Sequence, residues 1–147
     1  MPYRQWVLTM AAGQMATIIE LLGEPRGCPI RYTCAEATTI PKGTILKLTT
    51  PRLVAASSAD NDKFAGIAAM EKVGGDGSTE ITAYTRGIFG LSCKAAITAG
   101  ERVSIKDAQK IAKVAAADIL FSDVGVALDD GAGDDSVITV LVGGMGY

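Results

Sequence analysis

With 147 residues, 48% of them hydrophobic and 20% charged, the chain is long enough to bury a core as one domain and is neither disordered nor collagen-like. A net charge of −2 and a pI near 5.1 provide no general attraction for phosphate backbones or anionic membranes, so we expect no nucleic-acid partner and no membrane partner. The 17 glycines predict many tight turns and favour β structure.

The first 37 residues are interpreted as an N-terminal arm and lead-in segment, which precedes a β domain over residues 38–147. The opening stretch, MPYRQWVLTMAAG, lacks the basic region and long apolar core of a signal peptide, so we expect synthesis in a cytoplasm. It contains the only tryptophan, beside apolar side chains and an arginine, a composition that protein interfaces favour. The residues concerned are Tyr3, Arg4, Trp6, Val7 and Leu8. Two interpretations stay open: an arm that contacts a partner, and an arm that folds back on its own domain.

The central feature of the sequence is an internal repeat. The stretch IPKGTILKL at residues 40–48 returns as ITAGERVSI at residues 97–105, and the stretch from Gly66 resembles the stretch from Gly125. Two units are too few for a solenoid, which needs about three. We therefore predict a mainly β fold, a small β-barrel or β-clip-like domain built from two similar halves that share one core. The halves cover about residues 40–90 and 97–146.

Several segments have the alternation or the β-branched runs that are typical of strands. They are GTILKLTT, ERVSIKD, STEITAYTRG and DSVITVLVGG. Gly43 and Gly100 are expected to supply the positive φ of tight turns that lead into the first two of these segments, and Gly66 and Gly125 are grouped with them as structural turn glycines. The stretches GGDGS and DDGAGDD are expected to form hairpin loops.

Two segments are ambiguous. Residues 10–24 combine helix formers at helical spacing with the strand-like run Thr17–Ile19, so helix and strand both stay open there. The stretch KDAQKIAKVAAADILF also mixes the two patterns, and we predict a strand.

Catalytic signals are almost absent from the sequence. There is no histidine, and no nucleophile-elbow, phosphate-loop or dinucleotide motif occurs, so no catalytic residue is assigned and no cofactor is expected. Cys28, Cys34 and Cys93 are odd in number and widely spaced, which argues against a disulfide framework and favours plain buried or half-buried thiols. Cys93 is a weak nucleophile candidate, because its neighbour Lys94 would point to the opposite face of a strand.

The strongest metal candidate is the acidic loop near residue 130. Hard oxygen ligands on a glycine-rich turn suit calcium, but the spacing differs from that of a helix-loop-helix calcium site. A solvated hairpin tip is the preferred interpretation, and Asp60-Asn61-Asp62 is interpreted in the same way. The carboxylates of the loop are Asp129, Asp130, Asp134 and Asp135.

The repeat elements together resemble a family of tailed-virus head decoration or capsid fibre proteins. The resemblance lies in a turn of the aGd-V type at residues 99–103, in Gly66-Ile67-Ala68, and in VGVAL at residues 124–128 followed by Val137 to Val142. It covers about residues 38 to 146.

This resemblance implies a β-barrel or β-clip domain that acts as a capsid decoration, or cement, protein. It implies a trimer on the outer surface of the virion, bound to the major capsid protein and stabilising contacts between its subunits. In lambda-type decoration proteins the N-terminal arm pairs with strands of the shell, and the long segment before residue 38 departs from the shorter members.

Two competing hypotheses are kept. The turn-strand elements also look like those of β-clip domains related to type III antifreeze protein and the sialic acid synthase C-terminus, which suggests a small-molecule or saccharide-binding module. An accessory enzyme that uses Cys93 or the acidic loop is the third hypothesis.

Overall fold

The computed structural model describes residues 15–22, 29–115 and 122–143, and eleven β-strands lie within these ranges. The strands are β1 (Thr17–Leu21), β2 (Ile30–Cys34), β3 (Ile45–Thr50), β4 (Leu53–Ala56), β5 (Phe64–Ala68), β6 (Glu80–Tyr84), β7 (Gly87–Cys93), β8 (Arg102–Ile105), β9 (Lys110–Lys113), β10 (Asp123–Ala127) and β11 (Val137–Val142). The described residues contain no helix of the length and apolar character needed to cross a membrane.

The strands form two closed five-stranded barrels with the same topology. The first barrel has the order β2-β4-β3-β5-β6, and the second has the order β7-β9-β8-β10-β11. Each barrel closes through one parallel pair, β2 with β4 or β7 with β9, and all other pairs are antiparallel. The strand β1 pairs with the edge of β7 and so belongs to the sheet of the second barrel.

The register of the two barrels agrees residue by residue. Cys34 pairs with Val54 as Cys93 pairs with Ile111. The bridge between Ile40 and Lys72 likewise has its counterpart between Ile97 and Gly131. The structural correspondence therefore extends the sequence match at Ile40 back to the first strand of each barrel.

The predicted all-β fold with two similar halves is confirmed, but the expected single core is wrong. Each half closes on itself, and its inward-facing side chains form a separate apolar cluster. In the first barrel the buried cluster includes Leu46, Val54 and Ile81. In the second it includes Phe89, Leu91, Val103 and Ile111, to which two residues of the first barrel are added at the junction described below.

The predicted turns before β3 and β8 are present. Gly43 and Gly100 have φ values of 89° and 92°, and each turn is closed by a hydrogen bond from the N–H of the following residue to a carbonyl three residues back. Gly66 and Gly125, by contrast, lie inside β5 and β10 rather than in turns. Both are strand positions where another backbone approaches closely, since a Cβ on Gly66 would lie 2.8 Å from the carbonyl oxygen of Tyr84.

The ambiguous segments contain strands. Residues 17–21 of the first segment form β1, and residues 110–113 of the second form β9, as predicted. The stretches GGDGS and DDGAGDD lie in the loops between β5 and β6 and between β10 and β11. The boundary proposed at residue 38 stays a prediction, and β1 and β2 both lie before it.

Candidate functional site

The two described cysteines are buried core residues. Cys34 and Cys93 end the first strand of their barrels, and burial raises the pKa of both thiols, which keeps them protonated. Lys94 is exposed and its Nζ lies 3.0 Å from Asp107 Oδ2, so it is engaged elsewhere. The interpretation of Cys93 as a core thiol is confirmed. Cys28 lies outside the described residues.

The carboxylates of the acidic loop hold backbone and side-chain donors. Asp130 Oδ1 accepts a hydrogen bond from the N–H of Ala99 at 2.8 Å, and Asp129 Oδ2 accepts one from Thr139 at 3.2 Å. The remaining two carboxylates, Asp134 and Asp135, flank Lys110. Across residues 15–22, 29–115 and 122–143, no three His, Cys, Asp or Glu side chains are grouped in a way that suits a metal ion.

Lys110 is a buried lysine that ties the acidic loop to β9. Its Nζ lies 2.7 Å from Asp134 Oδ1 and 2.8 Å from Asp135 Oδ1. The hydrogen bonds raise the pKa of Lys110 and lower the pKa of Asp134, because each stabilises the charged form of its partner. The loop is therefore a structural clamp at the end of the second barrel.

A second buried lysine closes the first barrel. Lys72 Nζ donates hydrogen bonds to the carbonyl oxygens of Glu36 (2.6 Å), Thr38 (3.2 Å) and Val73 (3.3 Å), and Asp76 Oδ1 lies 3.5 Å away. The ammonium group thus binds three backbone carbonyls and holds the β5–β6 loop against the segment that follows β2. The sequence contains no signal for this role, since the equivalent position in the second barrel is Gly131.

The junction between the barrels is built around Gln109, in the turn between β8 and β9. Its Oε1 accepts a hydrogen bond from the N–H of Ile45 at 2.7 Å, and its Nε2 donates to the carbonyl oxygens of Ile45 (3.0 Å) and Ser57 (3.3 Å). The side chains of Ile45 and Ile67 point out of the first barrel and join the apolar cluster of the second. The junction therefore consists of apolar side chains around one buried amide, whose oxygen and nitrogen are both hydrogen-bonded.

The strand β1 spans this junction. Ala16 donates its N–H to the carbonyl oxygen of Gly43 in the first barrel at 2.8 Å, and the following residues pair with β7 of the second. Ile18 and Leu21 pack against the shared apolar cluster. The arm residues predicted from the sequence, Tyr3 to Leu8, lie outside the described residues, and β1 is the described segment that follows them.

Several large apolar side chains are exposed and are candidates for contact with a partner. Met70 and Val73 lie on the β5–β6 loop of the first barrel, and Leu128 lies on the equivalent loop of the second. Ile30 and Leu48 lie at the opposite end of the first barrel. This distribution suits contacts with other macromolecules, because exposed apolar side chains are what such contacts bury.

The geometry is that of a tandem β-barrel protein in which Lys72, Lys110 and Gln109 hold loops and barrels together. A model of the phage cement protein family matches residues 25–143, a range that includes both barrels. The chain therefore belongs to the phage cement protein family, as the resemblance implied. The members are structural proteins that associate with the capsid of a bacteriophage virion. No curated protein matches the chain.

Proposed function

We propose that this protein binds the outer surface of the capsid as a homotrimer and stabilises the contacts between major capsid protein subunits. The observation that carries the proposal is the family match, because it covers the two barrels and the junction between them. The role is structural and uses no catalytic residue. The chain is made in the host cytoplasm before it attaches to the virion.

The junction supports this role. A protein that bridges a seam between capsid subunits resists their separation only if it does not bend. Three kinds of contact join the barrels: the hydrogen bonds of Gln109, the apolar packing of Ile45 and Ile67, and the strand β1, which contacts both barrels. The two barrels are therefore joined as one unit.

The exposed loops and the arm supply separate attachment points. Met70, Val73 and Leu128 are exposed on equivalent loops of the two barrels. The arm residues Tyr3, Arg4, Trp6, Val7 and Leu8 precede a strand that already pairs along an open edge, and the same mode of strand addition to a capsid subunit would use the arm backbone. Several weak contacts on one trimer raise the effective concentration of each and give tight attachment.

The test is the mass of the purified protein by light scattering, followed by pelleting with undecorated capsids. We expect a trimer that pellets in multiples of three copies. Deletion of residues 1–10 should preserve the β-sheet circular dichroism and abolish pelleting. A protein that does not pellet with capsids would overturn the proposal and favour the hypothesis of a ligand-binding module. Undiminished pelleting of the truncated protein would remove the arm from the contact.

A further inference from the structure

The junction inside the chain joins two different surfaces. One of them, the inserting end, belongs to the second barrel. It consists of the Gln109 turn together with Phe89 of β7 and Ile105, the last residue of β8. The receiving face belongs to the first barrel and is the row Ile45, Ile67 and Tyr84. These three residues are adjacent across β3, β5 and β6. Phe89 and Tyr84 have ring centroids 6.3 Å apart.

The first barrel has its own inserting end, and its apolar side chains are partly exposed. By register, Ile30 corresponds to Phe89 and Leu48 to Ile105. Phe89 and Ile105 are fully buried, whereas Ile30 and Leu48 are 38% and 37% exposed. Arg52 corresponds to Gln109, and the two residues share a left-handed backbone, with φ values of 60° and 58°.

The second barrel has its own receiving face. The row Arg102, Val126 and Leu141 is adjacent across β8, β10 and β11 in the register of Ile45, Ile67 and Tyr84. Val126 and Leu141 are half-buried and Arg102 is exposed, while Ile45 and Ile67 are fully buried. Val114 donates its N–H to the carbonyl of Arg102 at 2.9 Å, as Ser57 does to Ile45 at 2.8 Å. The backbone that receives Gln109 is thus repeated at the second barrel.

We propose that copies of this protein associate head to tail by repeating the junction between their own barrels. The inserting end of the first barrel of one copy docks on the receiving face of the second barrel of the next. The inference rests on the homotrimer of the proposed function and names the surfaces that meet. A contact between two different surfaces closes into a ring or continues as a filament, and the trimer is the closed ring of three copies.

Arg52 fits this contact in part. Its guanidinium has several donors and no acceptor, so it can reproduce the bonds that Gln109 gives to two carbonyls, at Arg102 and Val114, but not the bond that Gln109 accepts. In the single chain Arg52 donates to the carbonyl of Arg31 and lies over the ring of Tyr32. The contact between copies also lacks the covalent connection within one chain, so it is weaker than the internal junction and depends on protein concentration.

The experiment measures the mass of the full-length protein by light scattering over a range of concentrations. Leu48→Glu places a carboxylate on the inserting end, and Leu141→Glu places one on the receiving face. Val73→Glu is the matched control, since Val73 is 52% exposed and lies on neither surface. We expect the wild type and Val73→Glu to be trimers and the other two variants to be monomers. A carboxylate in this contact must be desolvated among apolar side chains, and pairing with Arg52 or Arg102 does not recover that cost in full.

Mixing the two monomeric variants distinguishes this contact from a symmetric one. Each variant keeps one intact surface, so an equimolar mixture should form a dimer with one copy of each and grow no further. Ile30→Glu and Val126→Glu repeat the test at second positions if a first variant loses its β-sheet circular dichroism.

Folded Leu48→Glu and Leu141→Glu variants that remain trimers would overturn the proposal. A wild-type protein that is monomeric at every concentration and still pellets with capsids would also overturn it, while leaving capsid attachment in place. A trimer that dissociates as expected but does not pellet would contradict the proposed function and leave the contact between copies standing.

Discussion

The side chain of Gln109 pairs with the backbone of Ile45 as a neighbouring strand would. Its Oε1 accepts from the N–H of Ile45 at 2.7 Å and its Nε2 donates to the carbonyl of the same residue at 3.0 Å. One amide group therefore satisfies the N–H of a buried residue that lies beyond the last pair of the β3–β4 ladder, and it shares the carbonyl of that residue with the N–H of Ser57. Each barrel is closed, so strand pairing between them is not what joins them at this point. The side chain of Gln109 and apolar packing join them instead.

Removal of this amide should weaken the junction. We expect Gln109→Ala to lower the free energy of unfolding by about 2 kcal/mol, since the buried N–H of Ile45 loses its acceptor, while the carbonyl of Ile45 keeps its bond from the N–H of Ser57. Gln109→Gly should be less harmful, because glycine adopts the φ of 58° without strain. Urea denaturation measures both, with the exposed Lys42→Ala as control. Equal stability of Gln109→Ala and the wild type would contradict the role of the amide.

Comparison of Gly43 with Gly100 measures how much the contact with the β1 segment contributes to stability. They occupy equivalent turns with nearly equal φ, but a Cβ on Gly43 would lie 2.5 Å from the carbonyl oxygen of Ala16, whereas a Cβ on Gly100 would meet nothing within 4 Å. Gly100→Ala should lower the free energy of unfolding by about 1–2 kcal/mol through backbone strain alone. Gly43→Ala should lower it further, because Ala16 must also move. Thermal denaturation of both variants measures the difference, and identical losses would show that β1 is not fixed on this turn.

Lys72 should be intolerant of neutral replacement. Lys72→Met keeps the length of the side chain but removes the buried ammonium group that donates to three carbonyls. The carbonyls of Glu36 and Val73 keep a bond from a backbone N–H, so we expect a loss of about 2 kcal/mol. Lys63→Met is the control, because Lys63 is exposed. Guanidinium denaturation monitored by circular dichroism compares the two variants. A Lys72→Met variant as stable as the control would mean that water replaces the ammonium group.

The clamp between Lys110 and the acidic loop should make stability depend on pH at both extremes. The pKa of Asp134 is lowered in the folded protein, so its contribution is complete above the unfolded pKa of about 3.9 and is lost as the pH falls through the lower folded value. The pKa of Lys110 is raised, so its contribution is complete below about 10.4 and is lost as the pH rises through the higher folded value.

The test compares unfolding of the wild type with that of Lys110→Met between pH 2 and 11. We expect the wild type to be more stable across the window from about pH 4 to 10 and the difference to shrink at both ends. A difference that does not change with pH would show that packing, and not charge, accounts for Lys110.

The repeat was visible in the sequence because its most local elements were copied. The turns at Gly43 and Gly100 and the strands after them depend on short-range rules, and they were predicted correctly. The first strand of each barrel was missed as a repeat, because IRYTC and FGLSC share only the final cysteine, and barrel closure depends on a parallel pairing between distant strands. One core was therefore expected where the structure has two.

The candidate contacts were less accessible to prediction. Gln109 sits in KDAQKIAK, where neither spacing nor flanking residues distinguish a buried amide from an exposed one. Its counterpart Arg52 is chemically different, so the sequence of the first half does not repeat the amide that joins the barrels. The offset of the repeat already places Arg52 opposite Gln109, but the burial of Gln109 and the exposure of Arg52 are properties of the folded chain.

The position of β1 in the chain has a consequence for biosynthesis. The ribosome makes β1 first, the first barrel is complete at Tyr84, and the strand that pairs with β1 begins only at Gly87. At a typical elongation rate of about 5–20 residues per second, β1 waits several seconds for its partner, and the first barrel is itself incomplete for most of that time. During that interval β1 has no partner within the nascent chain, and this is the period in which neighbouring polypeptides on one messenger are best able to exchange strands.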